Sequence, residues 1–236
     1  MNILSELGIQ QWRLREPLIK SSELDIESND SLIAPAMDGL LEDVSQPALT
    51  NSSAALPFDE LDWPGLESWV QQGNCDSCDQ GGTIFGEGDR QADWMFLVDA
   101  PNADAVQQGL VVGGRARSLY QAILAALNLD IGQVYTTGVF KCAPSQDALL
   151  ATACQEILAR QVALVRPKVI VCLGEFSGQT LIKSNDSLSV LRTQECHCLQ
   201  TKVPVIVSHG LTDLLQSPIL KSQAWQDVKR ARAALL

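Results

Sequence analysis

Short apolar strands alternate with helical segments through the second half of this chain, and this alternation constrains the fold more than any other feature. Runs rich in Val, Ile and other apolar residues lie at 93–100, 133–140, 168–174 and 203–210. Segments with a helical pattern lie at 114–129, 147–165, 175–182 and 217–235. Unbroken apolar strands separated by helices are typical of a parallel sheet covered on both faces. We therefore predict an α/β fold, a three-layer sandwich around a central parallel four-stranded sheet.

The carboxyl ends of these strands are the place where a functional site is expected. In open parallel sheets, ligands bind in the crevice outside that edge. Here the strand ends are the segments 99–102, 141–144, 174–175 and 208–210. We expect the side chains of these four segments to lie close to one another.

Three regions separate along the chain. Residues 1–17 hold a compact apolar pattern around Trp12, which suits either a docking peptide or a terminal strand or turn packed on its own domain. Residues 18–57 are rich in Ser, Asp, Glu, Asn and Pro, which is typical of a linker. Residues 58–236 form the predicted α/β domain, which is thus preceded by an extended N-terminal segment.

The negative charge is concentrated in one segment. Ten of the 28 Asp and Glu residues lie in 21–64, where there is no Lys or Arg, whereas sixteen acidic and fourteen basic residues follow. This balance does not favour tight binding to the DNA backbone, which requires many Lys and Arg side chains. No apolar run approaches the roughly 20 residues that cross a bilayer, and the N-terminus lacks a signal-peptide layout. We therefore expect a cytoplasmic protein that does not contact membranes.

Four of the seven cysteines have positions that suit a metal site. Cys75 and Cys78 form a C-x-x-C pair, Cys142 follows a strand end, and Cys154 lies in the next helix. Four such thiolates can bind zinc or an iron–sulfur cluster. A single C-x-x-C pair is a weak signal, so unligated thiols are the alternative at this point.

The other three cysteines have simpler interpretations. Cys172 lies in the middle of an apolar strand and is expected to be buried packing. Cys196 and Cys198 flank His197 in a polar stretch. A metal site is one interpretation of this stretch, but two ligands alone make a poor site, so we expect a solvent-exposed loop.

From residue 65 to the end, the chain resembles the iron–sulfur uracil-DNA glycosylases, family four of their superfamily. The similarity lies in a collinear series of motifs: "CDSCDQGGTIFGEGDRQADWMFLVDAP", "VVGGRARSLYQAIL", "VYTTGVFKCAPS", "CQEILARQVALVRPKVIVCLG" and "VSHGLTDLLQSPILKSQAWQDVKRA". The resemblance implies that Cys75, Cys78, Cys142 and Cys154 hold a [4Fe–4S] cluster. We expect this cluster to brace the fold.

The same resemblance identifies the residues that correspond to the family's active site. The motif carboxylate falls on Asp99, and the histidine of the H-P motif falls on His209. The aromatic residue that stacks on uracil falls on Val111, and the asparagine that reads its edge falls on Gly138. Because neither Val nor Gly can make those contacts, we expect no catalytic activity. If the chain is active, Asp99 and His209 are the expected catalytic residues.

A second resemblance, to the psi subunit of bacterial DNA polymerase III, involves both ends of the chain. It rests on "LGIQQWRLREP" at 7–17 and on "SHGLTDLLQSPILKSQAW" near the C-terminus. It implies an accessory subunit of the clamp loader in DNA replication, with the domain bound to the chi subunit and thereby, indirectly, to single-stranded-DNA-binding protein. The tau/gamma ATPase subunits would bind a docking peptide built from Leu7, Ile9, Trp12, Leu14 and Arg15.

We therefore expect a non-catalytic psi-like adaptor on a uracil-DNA-glycosylase-like domain. The main alternative is a divergent, active iron–sulfur uracil-DNA glycosylase that acts in base excision repair. A weaker alternative is a DNA-binding or redox-sensing relic of such an enzyme. Release of uracil from DNA would distinguish the enzyme from the adaptor.

Overall fold

A mixed sheet forms the centre of the fold in a computed structural model that describes residues 58–72, 82–144 and 152–235. All these residues belong to one unit, Ser52–Leu236. Within them the sheet has six strands, which are β1 Glu87–Gly88, β2 Trp94–Val98, β3 Val134–Gly138, β4 Val169–Leu173, β5 Cys196–His197 and β6 Pro204–Ser208. Their spatial order is β1-β3-β2-β4-β6-β5.

The four longer strands are parallel, as the apolar runs indicated. β2 lies between β3 and β4, so that Trp94 pairs with both Val134 and Val169. β6 extends the sheet beyond β4, with Ile170 paired with Val205. The α/β class is therefore confirmed.

The predicted strand number needs correction, because the described sheet has two further strands. β1 pairs with β3 and β5 pairs with β6, both in the antiparallel direction, so the sheet is mixed. Each of these edge strands has only two residues. A run of two is too short to produce the alternating or continuous apolar pattern by which a strand is recognised in a sequence.

Eight α-helices are described around the sheet. They are α1 Trp63–Gln71, α2 Ala103–Gln108, α3 Gly114–Ala126, α4 Thr152–Val165, α5 Glu175–Ile182, α6 Leu188–Leu191, α7 Leu211–Gln216 and α8 Lys221–Ala233. Three single-turn 3₁₀ helices lie at Phe58–Glu60, Ile131–Gln133 and Pro218–Leu220. In this part of the chain, no helix is both long enough and apolar enough to span a membrane.

Two apolar cores lie on opposite faces of the sheet, because successive strand residues point to opposite sides. On one face, strand residues including Phe96 and Val171 pack with Tyr120 of α3 and Val228 of α8. On the other face, strand residues including Leu97, Ile170 and Val207 pack with Leu158 and Val162 of α4 and Leu181 of α5. This arrangement makes three layers and leaves the carboxyl ends of the parallel strands at one edge.

Candidate functional site

A cavity of about 180 Å³ opens at the carboxyl edge of the sheet. Asp99 and Asn102, which follow β2, form part of its wall together with Val111. Gly210 and Asp213, after β6 and in α7, line it as well. This cavity is smaller than the roughly 300–1,000 Å³ of pockets for drug-sized ligands, so its size suits a smaller group.

Asp99 contributes a hydrogen-bonded carboxylate to this wall. Its Oδ1 accepts a hydrogen bond of 2.8 Å from the backbone N–H of Ser177, in the first turn of α5. Burial raises the pKa of the Asp99 carboxyl, while the hydrogen bonds from Ser177 oppose that change and the nearby Asp213 and Glu175 add to it. Asp99 is therefore a stronger base than an ordinary aspartate.

Gly174 provides the space for this carboxylate. It lies between β4 and α5 with a φ of +151°, and a Cβ atom at this position would lie only 2.6 Å from Cγ of Asp99. Its backbone N–H donates to the carbonyl oxygen of Ser208 at 3.1 Å, which joins the ends of β4 and β6. A glycine here thus lets the Asp99 side chain lie directly against the backbone.

Val111 and Gly138 occupy the two positions at which the resemblance places residues that contact the base. Val111 lines the cavity with its side chain almost completely buried. Gly138 ends β3, and a Cβ atom there would lie 2.5 Å from the carbonyl oxygen of Phe140 and 3.4 Å from Cδ of Pro101. The loop after β3 therefore leaves no room for a side chain at position 138.

His209 follows β6 and is only 9% exposed. Its Nε2 lies 3.0 Å from Oε1 of Gln223 in α8. The four residues after it in the chain, 210–213, all line the cavity. The structure therefore places the ring of His209 against α8. The residues that follow His209 lie at the cavity wall.

Cys142 and Cys154 are both buried, the first in the segment after β3 and the second in the first turn of α4. Cys75 and Cys78 lie outside the described residues. Within 58–72, 82–144 and 152–235, no three His, Cys, Asp or Glu side chains form a group that could hold a metal ion. Half of the predicted ligand set can thus be located, and both of its members are in the interior.

A buried lysine lies next to these two cysteines. The ammonium of Lys141 donates to Oγ1 of Thr137 at 2.8 Å, to the carbonyl oxygen of Gly138 at 2.6 Å and to Oε1 of Gln161 at 2.6 Å. Burial lowers the pKa of Lys141 to about 7, and the electrostatic interaction with Cys154 opposes that change. Residue 141 opens one of the predicted strand-end segments, but nothing in the local sequence indicates that its side chain is buried.

The other cysteines are packing residues. Cys172 is fully buried in β4, as expected, and burial raises the pKa of its thiol. The expected exposed loop around His197 is wrong: His197 is exposed, but Cys196 and Cys198 are buried in the core. The residues alternate because β5 begins at Cys196, and alternate strand residues face opposite sides.

The predicted docking residues lie outside the described part of the chain. They are Leu7, Ile9, Trp12, Leu14 and Arg15. Conversely, the sequence does not predict Ser177 and Gln223, which hold site residues in place, and it places Gly174 in a strand-end segment without predicting the contact with Asp99. Each lies in a different segment from the residue that it contacts, and no local motif identifies it.

Comparison with known proteins supports an enzyme fold. The family model described as "Uracil DNA glycosylase superfamily" matches residues 85–229. The type-4 uracil-DNA glycosylase of Archaeoglobus fulgidus is 30% identical over 171 residues, which cover 66% of this chain and 86% of the relative. That of Sulfurisphaera tokodaii is 37% identical over 162 residues, covering 63% and 73%. That of Pyrobaculum aerophilum is 25% identical over 169 residues, covering 66% and 86%.

These similarities contradict the clamp-loader prediction. The relatives are named as glycosylases, which are enzymes, so the predicted non-catalytic psi-like subunit is wrong, and so are its tau/gamma and chi partners. The match includes all four parallel strands and most of α8. The psi resemblance depended on an eleven-residue peptide and one short segment, which are too small to determine the fold or the site.

Proposed function

The chain belongs to the uracil DNA glycosylase superfamily, and from this premise we propose that it is a uracil-DNA glycosylase. It hydrolyses the bond between uracil and deoxyribose in DNA, and the cavity beside Asp99 receives the extruded base. An enzyme that acts on a base must take it out of the stack and hold it in a closed pocket. The observation that carries this proposal is the half-buried Asp99 carboxylate, which Ser177 holds in the wall of a cavity of about 180 Å³.

In this mechanism Asp99 acts as the general base. A water molecule attacks C1′ of the sugar while the ionised carboxylate of Asp99 accepts one of its protons. The bond between C1′ and the base nitrogen breaks, and its electron pair leaves with the base, which then takes a proton from solvent. Because burial raises the pKa of Asp99, its carboxylate accepts this proton more readily than an exposed aspartate would.

The residues at positions 111 and 138 indicate weaker discrimination among bases than a site with an aromatic stacking residue and a hydrogen-bonding side chain would have. Val111 in the cavity wall offers an apolar surface without an aromatic ring. Gly138, which does not itself line the cavity, offers no hydrogen-bonding side chain. A site that hydrogen-bonds its substrate rejects analogues by roughly 10⁴- to 10⁵-fold, whereas apolar pockets achieve about 10- to 200-fold. We propose that this chain lies closer to the second range.

We propose that a [4Fe–4S] cluster is held by Cys75, Cys78, Cys142 and Cys154. The two cysteines that can be located fit this role, because both are buried and Cys154 interacts electrostatically with the buried Lys141. The cluster would cross-link the segment before β1 to the loop after β3 and to α4.

The cluster proposal is tested by iron content and visible absorbance of the anaerobically purified protein. We expect about four iron atoms per chain in the unaltered protein and a large loss of colour in Cys142→Ser. The matched control is Cys172→Ser, a change to another buried cysteine, which should retain its iron. A colourless unaltered protein, or equal iron in both variants, would refute the proposal.

The glycosylase proposal is tested by incubating the full-length protein with single- and double-stranded oligonucleotides that contain one uracil. We expect base release by the unaltered protein and a loss of about 10²- to 10⁴-fold in Asp99→Asn, the usual contribution of a general base. The matched control is Asp93→Asn at the opposite end of β2, where the carboxylate is exposed and paired with Lys168. The proposal fails if uracil is not released, or if the two variants are equally active.

A further inference from the structure

A short chain of hydrogen bonds connects His209 to Arg192 through one amide oxygen. Oε1 of Gln223 lies 2.7 Å from Nη1 of Arg192 and 3.0 Å from Nε2 of His209. These residues come from three separate parts of the chain: the end of α6, α8 and the segment after β6. The contact therefore exists only in the folded protein.

The chemistry of arginine decides which atoms carry the protons in this chain. A guanidinium group can only donate hydrogen bonds, so the atom of Gln223 that faces Arg192 must be its oxygen. That same oxygen faces Nε2 of His209, and an amide oxygen can only accept. Nε2 of His209 must therefore carry a proton, and in the neutral ring Nδ1 is then unprotonated.

Arg192 is itself held in place by a buried carboxylate. Its Nε and Nη2 donate to the two oxygens of Asp227 at 2.7 and 3.1 Å, and the side chain of Asp227 is only 4% exposed. Oγ of Ser208, the residue before His209, donates to the same carboxylate at 2.9 Å. This bidentate ion pair fixes the plane of the Arg192 guanidinium and thereby the position of Nη1, which donates to Gln223.

The arrangement determines which hydrogen bonds His209 can make. While Nε2–H is bonded to Gln223, the neutral ring has no second N–H to offer to a departing base. The residues that line the cavity, 210–213, are attached directly to this anchored histidine. His209 is thus placed to hold the cavity loop.

We infer that Arg192 and Gln223 are positioning residues that hold His209 in its Nε2–H form against α8 and so keep the loop 210–213 at the cavity. This inference rests on the proposed glycosylase function, because the loop matters only if the cavity binds a base. It makes His209 a support of the site and leaves Asp99 as the side chain that acts on the water.

The protonation state can be read directly, because the chain has only two histidines. His197 is exposed, so His197→Gln leaves His209 as the single imidazole in a ¹⁵N-histidine spectrum of the full chain. In the neutral ring we expect a protonated Nε2 and an unprotonated Nδ1. In Gln223→Leu we expect this preference to fall by about two- to tenfold, which corresponds to one net hydrogen bond.

Two further variants on α8 make the spectrum specific. Gln226→Leu is the matched control, because Gln226 is an exposed residue of the same type on the same helix; it should leave the spectrum unchanged. Gln223→Glu retains acceptor oxygens and should keep the Nε2–H form. A spectrum dominated by Nδ1–H, or one that Gln223→Leu does not alter, overturns the inference.

Base release tests the functional half of the inference. We expect Gln223→Leu to lower kcat/KM about two- to tenfold, and the double variant with His209→Ala to agree with His209→Ala alone within about twofold, since both changes break the same connection. The inference would be contradicted if the losses of kcat/KM in Gln223→Leu and His209→Ala multiplied in the double variant. It would also be contradicted if His209→Ala lost as much kcat/KM as Asp99→Asn. If the unaltered protein releases no uracil, the proposed function fails, but the spectrum still decides whether this connection exists.

Discussion

The backbone N–H of Ser177 lies 2.8 Å from Oδ1 of Asp99 and donates a hydrogen bond to it. This bond joins the first turn of α5 to the loop after β2, two segments that are 78 residues apart in the chain. It fixes the direction of the carboxylate and favours its charged form, whereas burial favours the neutral form. The balance of these effects leaves a carboxylate whose pKa lies above the ordinary aspartate value of 3.8.

The acid limb of the pH profile reports on this balance. Since the base must be ionised, kcat/KM should rise with pH through the raised pKa of Asp99, at a midpoint above 3.8. Asp213→Asn removes a negative neighbour, so the carboxyl should ionise more readily and the limb should move to lower pH. Uracil release measured across the pH range, with Asp93→Asn as the unshifted control, checks this. A shift to higher pH in Asp213→Asn would be inconsistent with the geometry.

The thermal stability of Asp99→Asn should show that the ionised Asp99 carboxylate destabilises the folded protein. An acid whose pKa is raised in the folded state binds its proton more tightly there than in the unfolded chain, so the unaltered protein gains stability as pH falls through the raised pKa. Asparagine remains neutral and can still accept from Ser177. We therefore expect the variant to melt a few degrees higher at pH 7, with the difference shrinking towards acidic pH. Calorimetry at several pH values tests this, and a variant that is less stable at pH 7 would argue against it.

Gly174→Ala should disturb both the backbone and the carboxylate. Its φ of +151° is unfavourable for alanine, and the new methyl group would collide with Asp99. We expect a loss of about 1–3 kcal/mol in the free energy of unfolding and a fall of about 10²-fold in uracil release, because the base is misplaced. Gly82→Ala is the control, since the nearest atom to its Cβ, on Val106, is at an ordinary 3.6 Å. Equal behaviour of the two variants would show that Asp99 tolerates displacement.

Lys141→Met should destabilise the fold strongly. The change leaves the carbonyl oxygen of Gly138 and Oε1 of Gln161 without their closest donor in a buried site. Each unsatisfied acceptor costs roughly 1–3 kcal/mol. Lys168→Met is the matched control, because Lys168 is largely exposed and forms a surface ion pair with Asp93, worth about 0–1 kcal/mol. Urea unfolding compares them, and a similar midpoint for both variants would contradict the role assigned to Lys141.

The sequence predicted the parts of the fold that depend on long repeating patterns. The strands β2, β4 and β6 contain continuous apolar runs, whereas β3 includes Thr136 and Thr137. The longer helices that cover them have apolar residues at helical spacing, so these elements can be predicted from the sequence. The two-residue strands β1 and β5 were missed, because their pairing is decided by the neighbouring strands β3 and β6. Cys196 and Cys198 were assigned to a loop for the same reason.

The candidate site likewise has some features that the sequence predicts and others that depend on tertiary packing. By itself the sequence determined the α/β class and placed Asp99 and His209 at strand ends, because local hydrophobic patterns and strand order set these features. Only the tertiary structure decided that Ser177 and Gly174 hold Asp99 and that Gln223 meets His209. Those contacts join residues far apart in the chain, and their distances and proton positions depend on how the segments pack, which no local pattern encodes.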